Sequence, residues 1–211
     1  MFGAATVARV PRRPRPDFEG ALHYVFDRGN RRQVICEEAV DYQFFLWLLE
    51  RAVARFEWLV HAYCLMPNHY HLLIETPKAG LSRGMQLLNG RYAQAFNAGR
   101  RLDGHLFQGR FGSRLIESER HAIWVNRYIA RNPVEARLAP GPAAWAWSSY
   151  GALRRHRAPS WLAHDRVLRL FGDGGRAAVA YERLILDEDG RDWPSPVRGL
   201  TPDRPARDAR R

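Results

Sequence analysis

Apolar and polar positions along the chain follow two periods, and each period predicts one kind of element. Strand-like patterns occupy residues 21–26, 57–66, 69–75 and 111–116. Apolar residues recur at spacings of three and four in residues 37–56 and 81–100, and this spacing is typical of packed helices. Pro67 and Asn68 mark a tight connection between the second and third strands, so these strands are predicted to form a hairpin at the centre of the sheet.

A third helix is predicted from Ser118 onward. The Ser118 hydroxyl can cap its first turn, and Pro133 is expected to end it because proline disfavours helical geometry in the preceding residue. The order β-α-β-β-α-β with a further helix predicts an α+β fold, a ferredoxin-like antiparallel sheet with helices on one face. The further helix carries the candidate catalytic residues, and two helical patterns near residues 163–171 and 177–186 predict a C-terminal helical extension.

Composition divides the chain into four predicted segments. They are a basic arm rich in Arg and Pro (1–17), a main domain (18–157), the C-terminal helical extension (158–190) and a basic tail expected to be disordered (191–211). Within the main domain, the aromatic residues of WAWSSY (145–150) are expected to cover the sheet edge or the last helix rather than stack on bases.

The chain carries a strong positive charge. Its 33 Lys and Arg exceed its 22 Asp and Glu, which gives a formal net charge of +11. This balance favours polyanions such as nucleic acid, with small acidic substrates second. Lys78 is the only lysine, and the arginines present forked donors that suit phosphates and guanine edges. Codon bias explains the preference for Arg equally well, but it does not explain the net charge.

Cysteine content and hydropathy indicate the cellular compartment in which the protein is expected. Cys36 and Cys64 lie far apart with no CxxC pair, so neither a disulfide framework nor a zinc knuckle is indicated. No apolar run approaches the ~20 residues that span a bilayer, and the first residues do not resemble a signal peptide. We therefore expect a cytoplasmic, nucleoid-associated protein without membrane contact.

Two histidines begin the third predicted strand. Because side chains alternate along a strand, His69 and His71 share one face, roughly 6.6 to 6.8 Å apart at the backbone. They can hold one metal ion or can be two side chains of an ordinary strand, and an ion needs at least one further protein ligand. Tyr128 and Asn132 share one helical face and offer a hydroxyl and an amide oxygen. By spacing alone, a core tyrosine is the better interpretation of Tyr128.

Four stretches of the chain together carry a family resemblance. They are RGNRR, AYCLMPNHYHLLIETP, GRYAQAFNAGRRLDGHLFQGRFGS, and NRYIARNPVEARL followed by WAWSSY. They resemble the transposase family of the IS200/IS605 type, in particular its REP-associated tyrosine transposase branch, from about residue 20 to residue 150. The chain departs from this pattern at Tyr24, since relatives often show His-Val before the Arg-Gly-Asn turn.

The resemblance implies particular roles for the candidate residues. It implies the histidine-hydrophobic-histidine (HUH) signature at His69 and His71, a nucleophilic Tyr128, a third metal ligand at Asn132, and Mg²⁺ or Mn²⁺ as the metal. The implied enzyme is a metal-dependent single-strand DNA endonuclease and strand transferase. It would act on hairpin, REP-like DNA through a 5′-phosphotyrosine intermediate, with a free 3′ hydroxyl as the other product.

Single-stranded or hairpin DNA is the expected partner, and the sequence leaves open whether the chain acts as a monomer or a homodimer. Candidate DNA-binding residues are Arg28, Arg31, Arg32, Arg91, His105, Gln108, Arg110 and Arg114. Tyr92, Phe107 and Phe111 are candidates to stack on unpaired bases, although Tyr92 and Phe111 fit the core better and Phe107 fits either place. The alternatives are a hairpin-binding protein that does not cut, and a zinc hydrolase that uses His69, His71 and His61.

Overall fold

A computed structural model describes residues 16–172 and 174–187 of the chain. Its strands are β1 (Ala21–Arg28), β2 (Leu59–Leu65), β3 (His69–Thr76) and β4 (Gly112–Leu115). Its α-helices are α1 (Ala39–Phe56), α2 (Leu81–Arg100), α3 (Glu119–Glu135), α4 (Ser149–Arg154), α5 (His164–Leu168) and α6 (Gly175–Leu186). The predicted order of elements is confirmed. Nearly all of the predicted arm, residues 188–190 of the extension and the whole predicted tail lie outside the described residues.

The four strands form one antiparallel sheet in the order β2-β3-β1-β4. The β2–β3 hairpin forms as predicted. Of its two strands, however, β3 is central and β2 lies at the edge of the sheet. Residues 145–163 cover this edge: the Leu65 amide donates to the Trp147 carbonyl (2.9 Å), and the Ala163 amide donates to the Val60 carbonyl (2.8 Å). The expectation that WAWSSY covers a sheet edge is therefore confirmed, and the bonds satisfy backbone groups that an open edge would leave unpaired.

Each face of the sheet has its own apolar cluster. On one face, α1 and α2 pack on a large cluster that includes Tyr70 and Leu72. On the other face, α3 packs on a smaller cluster. The predicted helices on one face and the further helix are thus both present. Tyr92 and Phe111 are confirmed as core residues, and Phe107, which is 8% exposed, joins them in the large cluster.

The third helix continues beyond the proline that was expected to end it. Pro133 lies inside α3, which runs to Glu135, so that prediction is wrong. Proline removes one amide donor from a helix. The next turn nevertheless closes, because the Ala136 amide donates to the Asn132 carbonyl (2.9 Å), and the Pro133 side chain is buried. At the other end the Ser118 hydroxyl accepts from the His121 amide (3.2 Å), which confirms the predicted cap.

The C-terminal extension packs against α3. The two predicted helical patterns are confirmed as α5, with the 3₁₀ turn Arg169–Phe171 that follows it, and α6. The Arg131 guanidinium donates to the Ile185 carbonyl (3.0 Å), and the Tyr181 hydroxyl donates to Asn126 Oδ1 (2.8 Å). These bonds help to fix the position of α3. The boundary proposed at residue 157 stays a prediction. Among the described helices, none combines the length and apolar character needed to cross a membrane.

Candidate active site

Strand register places the two histidines and part of β1 on one face of the sheet. β1 and β3 pair antiparallel, with Arg28 opposite His69. Because side chains alternate along a strand, His69, His71, Tyr24 and Arg28 share the face that α3 covers. Tyr70, between the two histidines, points into the cluster under α1 and α2. The prediction that the histidines share one face, opposite Tyr70, is confirmed.

Helix α3 brings the predicted nucleophile and the predicted third ligand to this pair. The ring centroids of His69 and His71 are 4.8 Å apart, and those of His71 and Tyr128 are 5.4 Å apart. Asn132 Oδ1 lies 3.2 Å from His69 Nε2. One turn before Tyr128, the Trp124 ring stacks on the phenol at 6.0 Å between centroids. All four predicted residues therefore meet within one chain, and the Tyr128 side chain stays partly exposed.

Each imidazole is held through its Nδ1 atom. His69 Nδ1 lies 2.6 Å from Asn68 Oδ1, and His71 Nδ1 lies 2.7 Å from the Tyr24 hydroxyl. Since Asn68 Oδ1 can only accept, His69 Nδ1 carries a proton, and in the neutral ring Nε2 presents a lone pair toward Asn132. His71 Nε2 is buried near Asn132 and makes no well-formed hydrogen bond with the described residues.

These atoms fit a divalent cation. His69 Nε2 and Asn132 Oδ1 face each other as two acceptors, and His71 Nε2 is a third, so a cation among them would satisfy all three. Imidazole nitrogens and an amide oxygen are ligands that first-row divalent ions accept. Within residues 16–172 and 174–187, no three His, Cys, Asp or Glu side chains group as a metal site. The donor set therefore depends on Asn132.

Burial determines which groups of the site carry protons. Burial lowers the pKa of His71 well below its usual value, and the neighbouring imidazole and Arg28 lower it further. Burial raises the pKa of Tyr128, whereas hydrogen bonds with Asn132 and Tyr24 and the charge of Arg28 oppose the rise. His71 is therefore neutral, as a metal ligand must be. Tyr128 is a neutral phenol at pH 7 and must lose its proton to attack.

Most of the predicted DNA-binding residues lie around the end of β1. The loop 101–110 packs on the turn after β1, since the Gln108 amide donates to the Arg28 carbonyl (2.9 Å). Arg114 stands opposite Tyr24 in the β1–β4 pair, on the histidine face. The exposed members of the predicted group here are Arg31, Arg32, His105, Gln108, Arg110 and Arg114. Together with the half-buried Arg28, they form a basic rim beside the histidines.

Arg91 is not part of this rim. With Trp47 and Arg51 it lines a groove of about 1270 Å³ between α1 and α2. These helices cover the sheet face opposite the histidines, so the structure does not bring Arg91 together with the other DNA-binding candidates. This groove therefore lies away from the candidate chemistry.

His61 does not join the other two histidines. Its Nε2 atom lies 3.0 Å from Glu75 Oε2, and its Nδ1 atom lies 3.3 Å from the Ala163 carbonyl. Glu75 follows His71 by four residues in β3, roughly 13 Å along the strand. The zinc hydrolase alternative loses the third ligand that the sequence suggested for it.

Two residues that hold the histidines were absent from the predicted site. Asn68 directly precedes His69, and an amide at that position gave no separate signal. Tyr24 was visible only as a departure from the pattern of relatives. It reaches His71 because β1 and β3 pair in one particular register, and that register is a long-range property of the fold.

Comparisons with known proteins bear on the family and the fold of this chain. A family model described as "Transposase IS200 like" matches residues 18–132. No curated protein matches. Among solved structures, one of a REP-associated tyrosine transposase bound to a REP hairpin has 18% identity, covers 71% of this chain and 89% of that chain, and has a TM-score of 0.60. The structure of a putative transposase from Deinococcus radiodurans R1 has 18% identity, covers 55% of this chain and 91% of that chain, and has a TM-score of 0.37. The first likeness shows a shared fold, and the second is too low to support an argument.

Proposed function

This chain belongs to the IS200-like transposase family, and we propose that it is a metal-dependent single-strand DNA endonuclease and strand transferase. Its nucleophile is Tyr128, its intermediate is a 5′-phosphotyrosine, and its substrate is hairpin DNA of the REP type. One observation carries the proposal: the Tyr128 ring lies 5.4 Å from the ring of His71, whose Nε2 atom is buried without a well-formed hydrogen bond.

Three atoms of the site are assigned to a divalent ion, Mg²⁺ or Mn²⁺. They are His69 Nε2, His71 Nε2 and Asn132 Oδ1. When bound, such an ion supplies positive charge that stabilises the scissile phosphate and the developing charge on the leaving 3′ oxygen. Asn68 and Tyr24 orient the two imidazoles through their Nδ1 atoms, as outer partners of metal ligands commonly do.

Tyr128 performs the bond exchange. Its Oη atom forms a bond to phosphorus in line with the leaving group, the bond from phosphorus to the 3′ oxygen breaks, and the 3′ oxygen gains a proton. The phenol proton passes to solvent at the partly exposed Tyr128, and Asn132, Tyr24 and the charge of Arg28 oppose the burial that raises the pKa of Tyr128, which makes this loss easier. Because the new ester retains the bond energy, a second 3′ hydroxyl can reverse the step and join strands without ATP.

The basic rim is assigned to the DNA backbone. Arg28 stands opposite His69 on the same face, so a phosphate held there is adjacent to the reacting atoms. The exposed rim arginines neutralise flanking phosphates. A single strand or a hairpin end suits this arrangement, because an unpaired backbone can turn a phosphate toward a partly buried phenol. The solved relative bound to a REP hairpin supports the choice of hairpin DNA.

A covalent-adduct assay tests the proposal. Purified protein, Mn²⁺ and a labelled REP-type hairpin oligonucleotide are expected to give a protein–DNA adduct that survives denaturation. The adduct should be absent in Tyr128→Phe and present in Tyr63→Phe, a matched loss of a phenol hydroxyl in the cluster under α1 and α2.

Two outcomes would contradict the proposal, and each favours one alternative. Hairpin binding with no adduct in the wild type would leave a binding protein that does not cut. Cleavage that persists in Tyr128→Phe would favour hydrolysis by water at a metal centre.

A further inference from the structure

Tyr24 lies between a proposed metal ligand and the proposed nucleophile. Its side chain is fully buried, at 0% exposure. Its hydroxyl lies 2.7 Å from His71 Nδ1. Its ring centroid lies 5.8 Å from that of His71 and 6.1 Å from that of Tyr128, the latter in an edge-on arrangement. A buried hydroxyl needs hydrogen-bond partners, and both neighbours of this one belong to the site.

The position of one proton decides whether His71 can act as a ligand. If Nδ1 carries it, Nδ1–H donates to the Tyr24 hydroxyl and Nε2 presents a lone pair. If Tyr24 donates to Nδ1, the proton sits on Nε2 and the lone pair is lost. A proton on Nε2 would occupy the lone pair that a metal ion needs, and it would point at Asn132, another proposed ligand. Only the first arrangement therefore leaves His71 able to bind an ion.

In the first arrangement the Tyr24 hydroxyl must direct its own proton elsewhere. The Tyr128 ring stands edge-on to the Tyr24 ring at 6.1 Å between centroids, and the interaction of the two phenols raises the pKa of Tyr24 and lowers that of Tyr128. A chain of two donations follows, from His71 Nδ1 to the Tyr24 oxygen and from the Tyr24 hydroxyl to the Tyr128 oxygen. One hydroxyl then sets both the orientation of the ligand and the position of the nucleophile.

We propose that Tyr24 is a positioning residue, which holds His71 in its metal-binding tautomer and holds the Tyr128 oxygen in place. This inference rests on the proposed function and deepens it. Tyr24 touches no reacting phosphate in this role, and it acts through the two side chains on either side of it.

Tyr24→Phe tests the tautomer and the metal affinity, because it removes the hydroxyl and keeps the ring. In ¹⁵N NMR of metal-free protein, His71 is expected to carry its proton on Nδ1 in the wild type and to lose that preference in the variant. Mn²⁺ affinity, measured by calorimetry, is expected to fall about 10- to 100-fold. The matched control is Tyr70→Phe, which removes a hydroxyl that donates to Asn89 Oδ1 (2.9 Å) on the opposite face. It should keep the wild-type tautomer and affinity.

A rate measurement tests the contact with Tyr128. At Mn²⁺ concentrations that saturate both proteins, adduct formation by Tyr24→Phe is expected to stay slower than in the wild type, because the nucleophile is no longer held. Recovery of the full wild-type rate at saturation would overturn this half of the proposal.

The remaining outcomes are also decisive. The proposal would be overturned if Tyr24→Phe kept both the wild-type Mn²⁺ affinity and the wild-type His71 tautomer. It would also be overturned if His71 of the wild-type protein carried its proton on Nε2. The second measurement needs no variant, so it decides the matter even if Tyr24→Phe does not fold. If the wild type forms no adduct, the proposed function fails, and the metal-free tautomer still decides the role of Tyr24.

Discussion

The two faces of the sheet serve different purposes although they share the same strands. Toward α1 and α2, β3 presents Tyr70 and Leu72 to a large apolar cluster. Toward α3 it presents His69 and His71, which are 4% and 1% exposed, beside Asn132 at 1%. A buried polar group without a good partner costs about 1–3 kcal/mol. The first face therefore stabilises the fold, whereas the buried polar groups of the second face lower the stability and form the candidate site.

This contrast also explains how α3 is attached. A helix above a polar site has less hydrocarbon to pack on, so other contacts must hold it. The Arg131 and Tyr181 side chains link α3 and α6 through hydrogen bonds of 3.0 and 2.8 Å. We infer that the C-terminal extension compensates for the polar surface beneath α3.

The largest effect is expected from His71→Asn, on the polar face. The change removes a proposed metal ligand. Loss of metal-derived stabilisation is worth several kcal/mol, so adduct formation should fall about 10³-fold or more. The free energy of unfolding should fall by only about 1–3 kcal/mol, because the buried Tyr24 hydroxyl loses its partner at His71 Nδ1 (2.7 Å). Single-turnover adduct formation and urea unfolding measure the two quantities, and wild-type adduct formation would refute the ligand role.

Leu72→Ala, at the adjacent position on the apolar face, should reverse the pattern. Removing a fully buried leucine leaves a cavity and should lower the free energy of unfolding by about 2–5 kcal/mol. The rate of adduct formation per folded molecule should stay near that of the wild type. Urea unfolding checks the first value, with Leu102→Ala as the control, because Leu102 is 50% exposed and its loss should cost about 0.5 kcal/mol or less. A slow variant with unchanged stability would contradict the division between the faces.

Arg131→Met should produce an intermediate effect. Methionine keeps much of the length of the side chain but loses the hydrogen bond to the Ile185 carbonyl (3.0 Å). Hydrogen bonds from charged groups are worth about 1.5–3 kcal/mol. Without this bond between α3 and α6, amide hydrogen exchange in α6 should be faster. The control is Arg176→Met, which changes an exposed arginine of α6 itself and should leave the exchange rates unchanged. Equal protection of α6 in both variants would show that Arg131 is not an anchor.

Acidification should give the smallest effect. Burial lowers the pKa of His71 well below its usual value, and in the unfolded chain a histidine titrates near 6.5. Below that pH the unfolded state binds a proton that the folded state does not. The free energy of unfolding should therefore fall as pH drops below about 6.5, by up to ~1.4 kcal/mol per pH unit for this group.

The pH effect can be measured by urea unfolding between about pH 7 and pH 5. His71→Asn should show a shallower slope than the wild type. Part of the slope should remain, because burial also lowers the pKa of His23 on the other face. Identical slopes in the two proteins would contradict the assignment of a neutral, buried His71.

Local patterns predicted much of the fold and of the site. The period of two in residues 69–75 was enough to put His69 and His71 on one face, and the spacing of four was enough to align Tyr128 with Asn132. Pro133 misled the prediction, because the helix loses one amide donor there but the next bond, from the Ala136 amide to the Asn132 carbonyl, still forms. The edge position of β2 was missed, because β2 is apolar on both faces, as a central strand would be. It can be so at the edge because residues 145–163 cover it.

The sequence by itself determined which residues are neighbours along each element and which face of it they share, because the periods of strands and helices are local. It also determined the charge that favours DNA. Only the tertiary structure decided that Tyr24 meets His71, that Arg91 lies away from the rim, and that Asn132 faces His69. These contacts depend on strand register and helix docking, which bring together residues that are far apart in the sequence. Tyr24 and His71 are 47 positions apart, and His69 and Asn132 are 63 positions apart.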